Sequence, residues 1–370
     1  MSLSVKLAIE ALRKFDVLDE IPGGANSYAF SAKHRDLQEQ RFLKAIYLPA
    51  NDSDSILNEP RSLLTALNAN PVSNNIVKLF DADRIRVGND DYVLLQMEWL
   101  NGSSLQTLLE TREFGQQEAV RLTMEILHGV AHLHRQRLVH RDLKPGNILL
   151  QKETPKIADF GSVAMIGSGS DFVRASKHSN LYVPSEGWIQ QSYTFASDLY
   201  QVGLVFYQLV NGPLPVTGKE YLTSNVLKKL KVRNLEYSEL DSFDRTEVEK
   251  ESLAELTAKD KLLTFVSKQR PYVSPAVQRI VLKATRADLN KRFKNAEEFL
   301  NKLSQVSTPN WIVHDDTFEA CAWRKFDWRV RQIRKKHRTE AIVERKRVGN
   351  YKRCHSADDL SAAFRFVEYY

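Results

Sequence analysis

Cysteine is scarce in this sequence, and it contains no long apolar run. Cys321 and Cys354 are the only cysteines among 370 residues. This excludes a disulfide framework, leaves open only a single bridge, and indicates a reducing compartment. The first residues, MSLSVKLAIEALRKF, are interrupted by charged side chains and lack the apolar core of a signal peptide. The longest apolar stretch, residues 199–210, is too short and too polar to span a bilayer. The sequence therefore predicts a cytoplasmic protein that does not enter a membrane.

Glycine is missing from two positions where a phosphate-binding loop would require it. Residues 21–30 read IPGGANSYAF. In a G-x-G-x-x-G loop the first and third glycines would replace Pro22 and Ser27, and only Gly24 matches the pattern. Taken alone, the segment fits either an ordinary hairpin turn or an atypical phosphate loop.

Positive charge is concentrated towards the C-terminus. Residues 324–353 contain 13 Lys or Arg against 3 Asp or Glu, whereas the whole chain has a net charge of only +7. The sequence STPN at 307–310 breaks the preceding helical pattern, so we expect a boundary there. Beyond it, FDWRVRQI and TEAIVERKR alternate like a hairpin, and SADD resembles a capping box before the helical LSAAFRFVEYY. Residues 311–370 are therefore predicted to form a small basic β-β-α accessory domain.

Hydrophobic periodicity predicts an α+β fold with two lobes. Residues 1–14 have the apolar spacing of a helix, and residues 15–98 alternate mostly like strands, with one helix at 52–67. Residues 99–305 are mostly helical in pattern. We therefore predict a core domain at 15–305 in which a small strand-rich N-lobe precedes a larger helical C-lobe.

The strongest chemical signal is a pair of motifs, HRDLKPGNILL at 140–150 and ADFG at 158–161. They supply a carboxylate, a lysine, an amide and a second carboxylate at short spacing. Phosphoryl transfer requires such a set, because one carboxylate accepts a hydroxyl proton while the amide and the other carboxylate hold Mg²⁺ on the phosphates. A polar loop would rarely match both motifs by chance. The sequence therefore predicts an enzyme of phosphoryl transfer.

With these motifs the sequence resembles the eukaryotic-type (Hanks-type) Ser/Thr protein kinases, including those found in bacteria, over residues 13–305. The resemblance implies the two-lobed protein kinase fold and transfer of the γ-phosphoryl group of ATP, with Mg²⁺, to Ser or Thr hydroxyls of a protein substrate. By this resemblance, Asp142 is the catalytic base and Lys144 neutralises the transferring phosphoryl group. Asn147 and Asp159 are the Mg²⁺ ligands. Lys44 is the strand lysine that binds the phosphates, and Glu59 is its ion-pair partner.

The resemblance also assigns the walls of an adenine pocket. Residues 95–105, LQMEWLNGSSL, match the segment that joins the lobes, where Met97 is the gatekeeper and Glu98 and Leu100 offer backbone groups to the base. Leu149 is expected under the base. The opening stretch aligns with the family's phosphate loop and is interpreted as a working but atypical loop, because backbone N–H groups cradle the phosphates. The remaining nucleotide-binding positions are Ile21, Gly23, Gly24, Ala29 and Phe42.

Two residues of the predicted pocket depart from the family pattern. The family has valine in the strand after the loop and alanine two residues before the strand lysine, whereas this chain has Ala29 and Phe42. The exchange of small and large side chains is expected to preserve the volume of the adenine roof and to change its shape. The alternative is that Phe42 blocks the base and that the chain is a pseudokinase or scaffold. The retained catalytic set favours an enzyme.

The substrate class follows from the catalytic loop and the activation segment. Lys144 is typical of the Ser/Thr kinases, and Ser179 matches their substrate-loop hydroxyl. A small-molecule phosphotransferase would share the H-x-D and D-x-G chemistry but lack an activation segment such as residues 161–186. Arg141 is available to pair with a phosphate on this segment. We predict autophosphorylation on at least one of three residues: Ser168, Ser170 and Ser176.

Three residues further along the chain are expected to brace the fold. Glu186 in YVPSE should form a buried ion pair with Arg292 in NKRF, and Asp198 in SDLYQVG should hold the catalytic loop. These roles are structural, so they support the fold more than the reaction.

Other polar clusters have two interpretations each. His128, His132 and His134 lie on one predicted helix, but no further ligand completes a metal site, so we expect an ordinary helix face. Residues 216–270 are charged and helical, and form either a substrate-docking surface or a solvated face, of which we favour the second.

The basic tail has two interpretations as well. The basic residues of 324–353 alternate with Trp323, Trp328 and Tyr351, which fits phosphate contacts and base stacking on a nucleic acid or another acidic partner. The alternative is a module that packs on the core domain and exposes a solvated basic face.

Overall fold

The structure is a computed structural model that describes residues 2–22, 27–48, 60–69, 72–175, 179–266, 269–314, 317–335 and 338–370. The chain divides into two compact units, each made of several segments. Unit 1 comprises Met1–Thr107, Glu125–Ser179 and Ile189–Asp198, and unit 2 comprises Leu108–Met124, Asn180–Trp188 and Leu199–Tyr370. The described residues among those predicted to bind nucleotide or to act in catalysis all belong to unit 1.

Unit 1 begins with a helix and an antiparallel five-stranded sheet of order β1-β2-β3-β5-β4. The elements are α1 (Ser2–Ala11), β1 (Phe15–Ile21), β2 (Ser27–His34), β3 (Gln40–Leu48), α2 (Pro60–Leu67), β4 (Leu79–Val87) and β5 (Asp90–Glu98). Successive side chains on a strand point to opposite faces, and Leu94 and Leu95 do so here. Leu94 lies in one apolar cluster with Val5 and Ile9 of α1, and Leu95 lies in another with Leu63 of α2.

The strand-rich N-terminal region predicted from alternation is confirmed. Of the predicted helix at 52–67, the structure describes the part from Pro60 onwards, which is helical, and residues 52–59 lie outside the described residues.

The remainder of unit 1 contains short strands that set the shape of its loops. They are β6 (Ser103–Ser104), β7 (Leu138–Val139), β8 (Ile148–Gln151), β9 (Thr154–Ile157), β10 (Ala164–Met165), β11 (Val173–Arg174) and β12 (Ser192–Tyr193). β6, β8 and β9 form one sheet, while β7 pairs with β10 and β11 pairs with β12. β8 contains the end of the first sequence motif and β9 directly precedes the second, so the β8–β9 hairpin brings residues 140–147 and 158–161 together.

Helices dominate the rest of the core, as predicted. They are α3 (Leu105–Thr111), α4 (Gln116–Arg135), α5 (Ser185–Ile189), α6 (Phe195–Asn211), α7 (Ser224–Val232), α8 (Ser242–Ala258), α9 (Leu262–Val266), α10 (Pro275–Ala284) and α11 (Ala296–Ser304). Side-chain caps explain several starts: Asp241, Ser274 and Asn295 each accept a hydrogen bond from the N–H three residues later. No helix in the described residues is long and apolar enough to cross a membrane.

The C-terminal segment departs from the predicted β-β-α unit. It forms a five-stranded antiparallel sheet of sequential order, β13 (Trp311–His314), β14 (Thr317–Trp323), β15 (Phe326–Lys335), β16 (Arg338–Lys346) and β17 (Lys352–Ala357), followed by α12 (Leu360–Tyr369). The predicted hairpin is the β15–β16 pair. The other strands were missed because β13 is short and KRCHSA in β17 has no apolar alternation. Cys321 and Cys354 are free and exposed, so the single bridge is not formed.

The start of α12 also differs from the prediction in one detail. Asp359 accepts a hydrogen bond from the N–H of Ala362 at 2.7 Å. A capping box needs a Glu or Gln at this third position to bond back, and alanine has no acceptor. The helix therefore has a single side-chain cap.

Within unit 2, the C-terminal sheet and helix pack on the segment before α10. The ring of Tyr272 lies 5.9 Å from that of Phe318 and 6.1 Å from that of Phe364, measured between centroids. Phe364 also contacts Trp311 edge-to-face at 4.8 Å. Nε2 of Gln117 donates to the carbonyl of Thr308 at 3.0 Å, which holds the connection before β13. An aromatic cluster thus joins the C-terminal segment to the helices of the same unit.

Candidate active site

A cavity of about 380 Å³ lies in unit 1 beside the five-stranded sheet. Nucleotide-sized ligands occupy clefts of roughly 300–1,000 Å³. Most of the predicted nucleotide-binding residues line this cavity: Ile21, Ala29, Phe42, Lys44, Met97, Glu98, Leu100, Asn147, Leu149 and Asp159. Gly23, Gly24 and Glu59 lie outside the described residues. The cavity persists with Phe42 in its wall, so this side chain does not fill it.

Strand register explains how residues far apart in sequence meet in this wall. Ala29 of β2 pairs with Lys44 of β3, and Phe42 of β3 pairs with Met97 of β5. Directly paired residues in an antiparallel sheet project from the same face, and Phe42 and Lys44 are two residues apart. All four side chains therefore project from one face of the sheet into the cavity.

The lysine of β3 and the acid after β9 form an ion pair. Nζ of Lys44 lies 2.6 Å from Oδ1 of Asp159. Burial raises the pKa of the Asp159 carboxyl, but the charge and hydrogen bond of Lys44, with the N–H of Gly161, outweigh burial and lower the pKa below its usual value. Asp159 also has a φ of 65°, a left-handed conformation that a non-glycine residue keeps only when its surroundings impose it. Asp159 is therefore an ionised carboxylate held in a defined orientation.

The catalytic loop gathers a second group of polar side chains around Asp142. Nζ of Lys144 lies 2.9 Å from Oδ2 of Asp142 and 2.7 Å from Oγ of Ser179. The amide of Asn147 donates to Oδ2 of Asp142 at 3.0 Å and to its backbone carbonyl at 2.8 Å. Oδ1 of Asp142 is buried and has no hydrogen-bond partner among the described residues. Oδ2 is thus held by two side chains, and Oδ1 has the chemistry to accept a proton.

The donors beside the cavity fit a Mg²⁺ ion. Mg²⁺ prefers oxygen ligands and is usually held by one or two carboxylates together with substrate phosphates. Asp159 supplies a carboxylate, and Asn147 supplies its amide oxygen because its N–H groups are directed to Asp142. The described residues contain no cluster of three or more His, Cys, Asp or Glu that could hold a metal by itself. A Mg²⁺ ion held by Asp159 and Asn147 would take its further ligands from other groups, such as substrate phosphates.

Asp198 holds the backbone of the catalytic loop. Its carboxylate accepts hydrogen bonds from the N–H groups of His140 and Arg141, each at 2.9 Å. Nε2 of His134 lies 2.9 Å from Oδ2 of the same carboxylate. Asp198 therefore occupies the position expected for the helix acid, and His134 belongs to this hydrogen-bonded arrangement.

A buried ion pair braces unit 2 as predicted. Both terminal nitrogens of Arg292 donate to the carboxylate of Glu186 at 2.8 Å. The side chains are 0% and 2% exposed. Arg292 also bonds the backbone carbonyl of Ala287 and the hydroxyl of Ser185. This fork geometry satisfies the buried charges on both sides.

Arg141 bonds two backbone carbonyls of the activation segment. Its Nε donates to the carbonyl of Ser162, and its Nη1 donates to the carbonyl of Arg174 at 2.7 Å. Of the serines predicted to be phosphorylated, Ser168 is exposed, Ser170 bonds the carbonyl of Phe172 at 2.8 Å, and Ser176 lies outside the described residues. Phosphorylation of these residues stays a prediction.

Sequence reasoning missed two residues of unit 1. A Cβ at Gly102 would lie 2.0 Å from the carbonyl of Leu150, so the chain that leaves β5 can approach β8 only with glycine there. The position of Gly102 after the lobe-joining segment could have suggested this. Arg137 bonds three carbonyls of the activation segment, and nothing in its local sequence indicates those partners.

Comparison with known proteins agrees with this geometry. The sequence model described as the protein kinase domain matches residues 15–303. The chain belongs to the protein kinase family.

Several curated relatives of this kinase-family chain are serine/threonine kinases or probable ones. The chain is 26% identical to serine/threonine-protein kinase PrkC of Bacillus subtilis over 294 residues, which cover 77% of this chain and 39% of the relative. It is 29% identical to a probable myosin light chain kinase of Dictyostelium discoideum over 197 residues, 52% of this chain and 60% of the relative. It is 24% identical to a probable serine/threonine-protein kinase of Clostridium perfringens over 213 residues, 57% of this chain and 30% of the relative. The chain thus spans 60% or less of the length of each of these relatives.

Proposed function

We propose that this chain is a Mg²⁺–ATP-dependent serine/threonine protein kinase that transfers the γ-phosphoryl group of ATP to a protein substrate and to itself. The observation that carries the proposal is the arrangement around Asp142. A protein kinase needs a carboxylate positioned to accept the proton of the attacking hydroxyl, and Oδ1 of Asp142 is buried and without a hydrogen-bond partner among the described residues.

The neighbours of Asp142 support its role as the base. Lys144 and Asn147 both bond Oδ2, so the carboxylate cannot rotate without losing two hydrogen bonds. A positioned base is effective because the hydroxyl proton must be within hydrogen-bond reach in the reacting geometry. Lys144 in turn places a positive charge beside the point where the phosphoryl group would pass.

The other end of the site supports binding of the nucleotide phosphates. Lys44 is 15% exposed in its side chain and lies against Asp159, so a cation and an anion both border the cavity. Asn147 adds an amide oxygen on the same side. Mg²⁺, when bound, would neutralise charge on the β- and γ-phosphates. The apolar wall that contains Phe42 and Leu149 supports binding of the base.

The choice of a protein hydroxyl as acceptor is supported by Ser179. Its hydroxyl accepts a hydrogen bond from Lys144 at 2.7 Å, so the activation segment is fastened directly to the catalytic loop. A small-molecule phosphotransferase would share the catalytic acids but have no such segment. This contact and the names of the relatives favour a serine/threonine protein kinase.

The proposal can be tested with purified protein and labelled ATP. We expect Mg²⁺-dependent incorporation of phosphate into the chain and into a generic protein acceptor, with mass spectrometry mapping the label to Ser and Thr. The variant Asp142→Asn should show none. If the wild type and Asp142→Asn incorporate equal amounts of label, the activity comes from a contaminating kinase. If the wild type incorporates no label with either Mg²⁺ or Mn²⁺, the proposal is contradicted.

For the C-terminal segment we propose packing on the core rather than binding of a nucleic acid or another acidic partner. Several of its basic residues are already paired: Arg329 with Glu319 at 2.7 Å, Arg331 with Glu344 at 2.6 Å, and Lys346 with Asp327 at 3.7 Å. The ring of Tyr351 lies under Arg329 at 3.9 Å, so it is not presented for base stacking. Other basic residues of the segment are exposed and could contact a polyanion, so polyanion binding is the competing hypothesis.

A further inference from the structure

Residues 162–175 of the activation segment are held in place at several points within unit 1. Ala164 and Met165 pair with Val139 and Leu138, and β11 pairs with β12. The N–H of Ala175 adds a hydrogen bond to the carbonyl of Gln191 at 2.8 Å. The two ends of this stretch are therefore fixed by backbone pairing, and the turn between them, residues 166–170, needs its own anchor.

Arg137 provides that anchor. Its Nε donates to the carbonyl of Ile166 at 2.9 Å, and its Nη2 donates to the carbonyls of Gly167 and Ser170 at 2.9 and 3.1 Å. The N–H of Ile166 donates to the carbonyl of Arg137 at 2.9 Å. Four hydrogen bonds thus link one residue to a five-residue turn. The planar guanidinium carries several donors in a fixed arrangement, which a lysine could not reproduce.

The backbone conformation of Arg137 is one that a long side chain adopts at a cost. Its φ is 58°, in the left-handed region that glycine and asparagine adopt with least cost. Glycine would relieve this backbone cost but would lose the guanidinium, so the contacts of the side chain depend on keeping arginine here. Those contacts are the carbonyls of the turn.

The arginine contacts around this turn end on backbone carbonyls. Arg141 donates to the carbonyls of Ser162 and Arg174, on either side of the turn. The hydroxyl of Ser170 donates to the carbonyl of Phe172, and its oxygen accepts from the N–H of Phe172. A phosphate on Ser170 would remove the O–H donor and place negative charge beside carbonyl oxygens. Each of these arginine contacts ends on a backbone carbonyl, so it does not depend on a modified side chain.

We infer that Arg137 is a positioning residue that holds the activation segment in its ordered conformation without phosphorylation. It acts through the segment, which carries the substrate-loop serine Ser179 towards Lys144, and it is not among the residues that line the cavity. The activity part of this inference rests on the proposed kinase function, and the conformational part does not.

The test uses the full chain, treated with phosphatase and shown by mass spectrometry to carry no phosphate. Arg137→Gly removes the side chain and relieves the left-handed strain at once. We expect deuterium exchange over residues 162–175 to accelerate by about tenfold or more, since the loss of even one charge-assisted hydrogen bond has an effect of this order. The kcat for a protein acceptor should fall by a similar factor, while the KM for ATP should change by less than about twofold.

Two further variants separate positioning from general stability. Lys152 has a φ of 57° and an exposed side chain in the β8–β9 turn, so Lys152→Gly controls for glycine at a left-handed position and should leave exchange and kcat unchanged. Arg137→Lys keeps the charge but can satisfy fewer carbonyls, and should recover part of the lost protection. Should Arg137→Gly fail to fold, Arg137→Asn carries the same test, because asparagine tolerates this backbone and is too short to reach the turn.

Two results would overturn the inference. One is an Arg137→Gly protein whose 162–175 exchange and kcat match those of Lys152→Gly. The other is a phosphate-free wild type whose segment gains protection only after phosphorylation. If the wild type transfers no phosphate under any condition, the proposed function fails, and the exchange measurements still decide whether Arg137 holds the segment.

Discussion

Nζ of Lys44 and Oδ1 of Asp159 lie 2.6 Å apart, although 115 residues separate the two in the sequence. Lys44 lies in β3 and Asp159 follows β9. The ion pair therefore links the five-stranded sheet to the β8–β9 hairpin, which follows the catalytic loop. Because the charge of Lys44 also lowers the pKa of Asp159, the carboxylate is anionic at neutral pH. The predicted phosphate-binding lysine and the predicted metal ligand are thus assembled by the fold itself.

Replacing the proposed base should stop the reaction without unfolding the protein. Asp142→Asn keeps the shape of the side chain and its bonds can rearrange, but an amide cannot accept the hydroxyl proton. We expect kcat to fall by roughly 10²–10⁴-fold, the range of general-base contributions, with ATP affinity and melting temperature nearly unchanged. Phosphate transfer by the variant at close to the wild-type rate, in an assay with matched ATP, would show that Asp142 is not the base.

Replacing the lysine of β3 should weaken the site for a different reason. Lys44→Ala removes the cation beside Asp159, so we expect both weaker ATP binding and a lower kcat. Lys33 is an exposed lysine of the neighbouring strand β2, and Lys33→Ala is the matched control that should behave like wild type. Equal activities of the two alanine variants would contradict the role given to Lys44.

The exchange of Ala29 and Phe42 can be tested with a double-mutant cycle. Ala29→Val alone should crowd the cavity wall and weaken ATP binding, because overpacking costs roughly 1–3 kcal/mol. Adding Phe42→Ala should restore much of the affinity, since the two side chains project from the same face of the sheet. Calorimetric titration of ATP into the four proteins measures the interaction. Strict additivity of the two changes would mean that these residues do not shape the same part of the pocket.

The fold family and most of the residues that line the cavity could be predicted from the sequence alone. Strand alternation is local, so the strands that carry Ala29 and Lys44 could be predicted from YAFSA and RFLKAIYL, and the structure adds their pairing. The catalytic set around Asp142 and Asn147 lies within a few residues of chain, so its spacing carries the chemistry directly. A motif of this kind is recognisable before any tertiary contact is known.

What sequence could not supply depends on contacts between distant segments. β17 has no apolar alternation, and it is a strand because β16 offers it an edge to pair with. The side chain of Arg137 reaches carbonyls about 30 residues further along the chain, a partnership without any local signal. Glycine at position 102 follows from a close approach of two backbones, which only the assembled sheet reveals.

The buried pair of Glu186 and Arg292 predicts a large stability effect. Arg292→Met leaves an uncompensated carboxylate in a buried site, which typically costs about 3–5 kcal/mol. Glu186→Gln in addition should recover part of this loss, because the remaining polar group is neutral. Chemical denaturation followed by fluorescence gives the change in the free energy of unfolding.

The neighbouring exposed pair gives the control for this measurement. Lys291 lies 3.6 Å from Asp288, and its side chain is 71% exposed. Lys291→Met should change stability by no more than about 1 kcal/mol, as expected for surface ion pairs. A loss in Arg292→Met no larger than that of Lys291→Met would mean that the buried pair does not stabilise the fold.

The C-terminal segment predicts opposite results under its two interpretations. If residues 311–370 bind a polyanion, affinity for DNA or RNA should fall by ~10³–10⁵ between 50 and 200 mM salt for 6–10 phosphate contacts. Truncation after Thr308 should then abolish binding and leave catalysis intact, because every catalytic candidate lies before it. Binding should be measured by fluorescence anisotropy at both salt concentrations.

The interpretation that we favour is packing on the core, and it predicts that the aromatic cluster stabilises the protein. Phe364 contacts Tyr272, Phe318 and Trp311, so Phe364→Ala should lower stability by roughly 3–5 kcal/mol. Tyr369 lies in the same helix with 68% of its surface exposed, and Tyr369→Ala should have almost no effect. The truncated protein should then melt at a lower temperature than the full chain, because the truncation exposes Tyr272. The full chain should bind little nucleic acid at 50 mM salt. Strong salt-dependent binding, together with an unchanged melting temperature in Phe364→Ala and in the truncation, would reverse this conclusion and make the segment a polyanion-binding module.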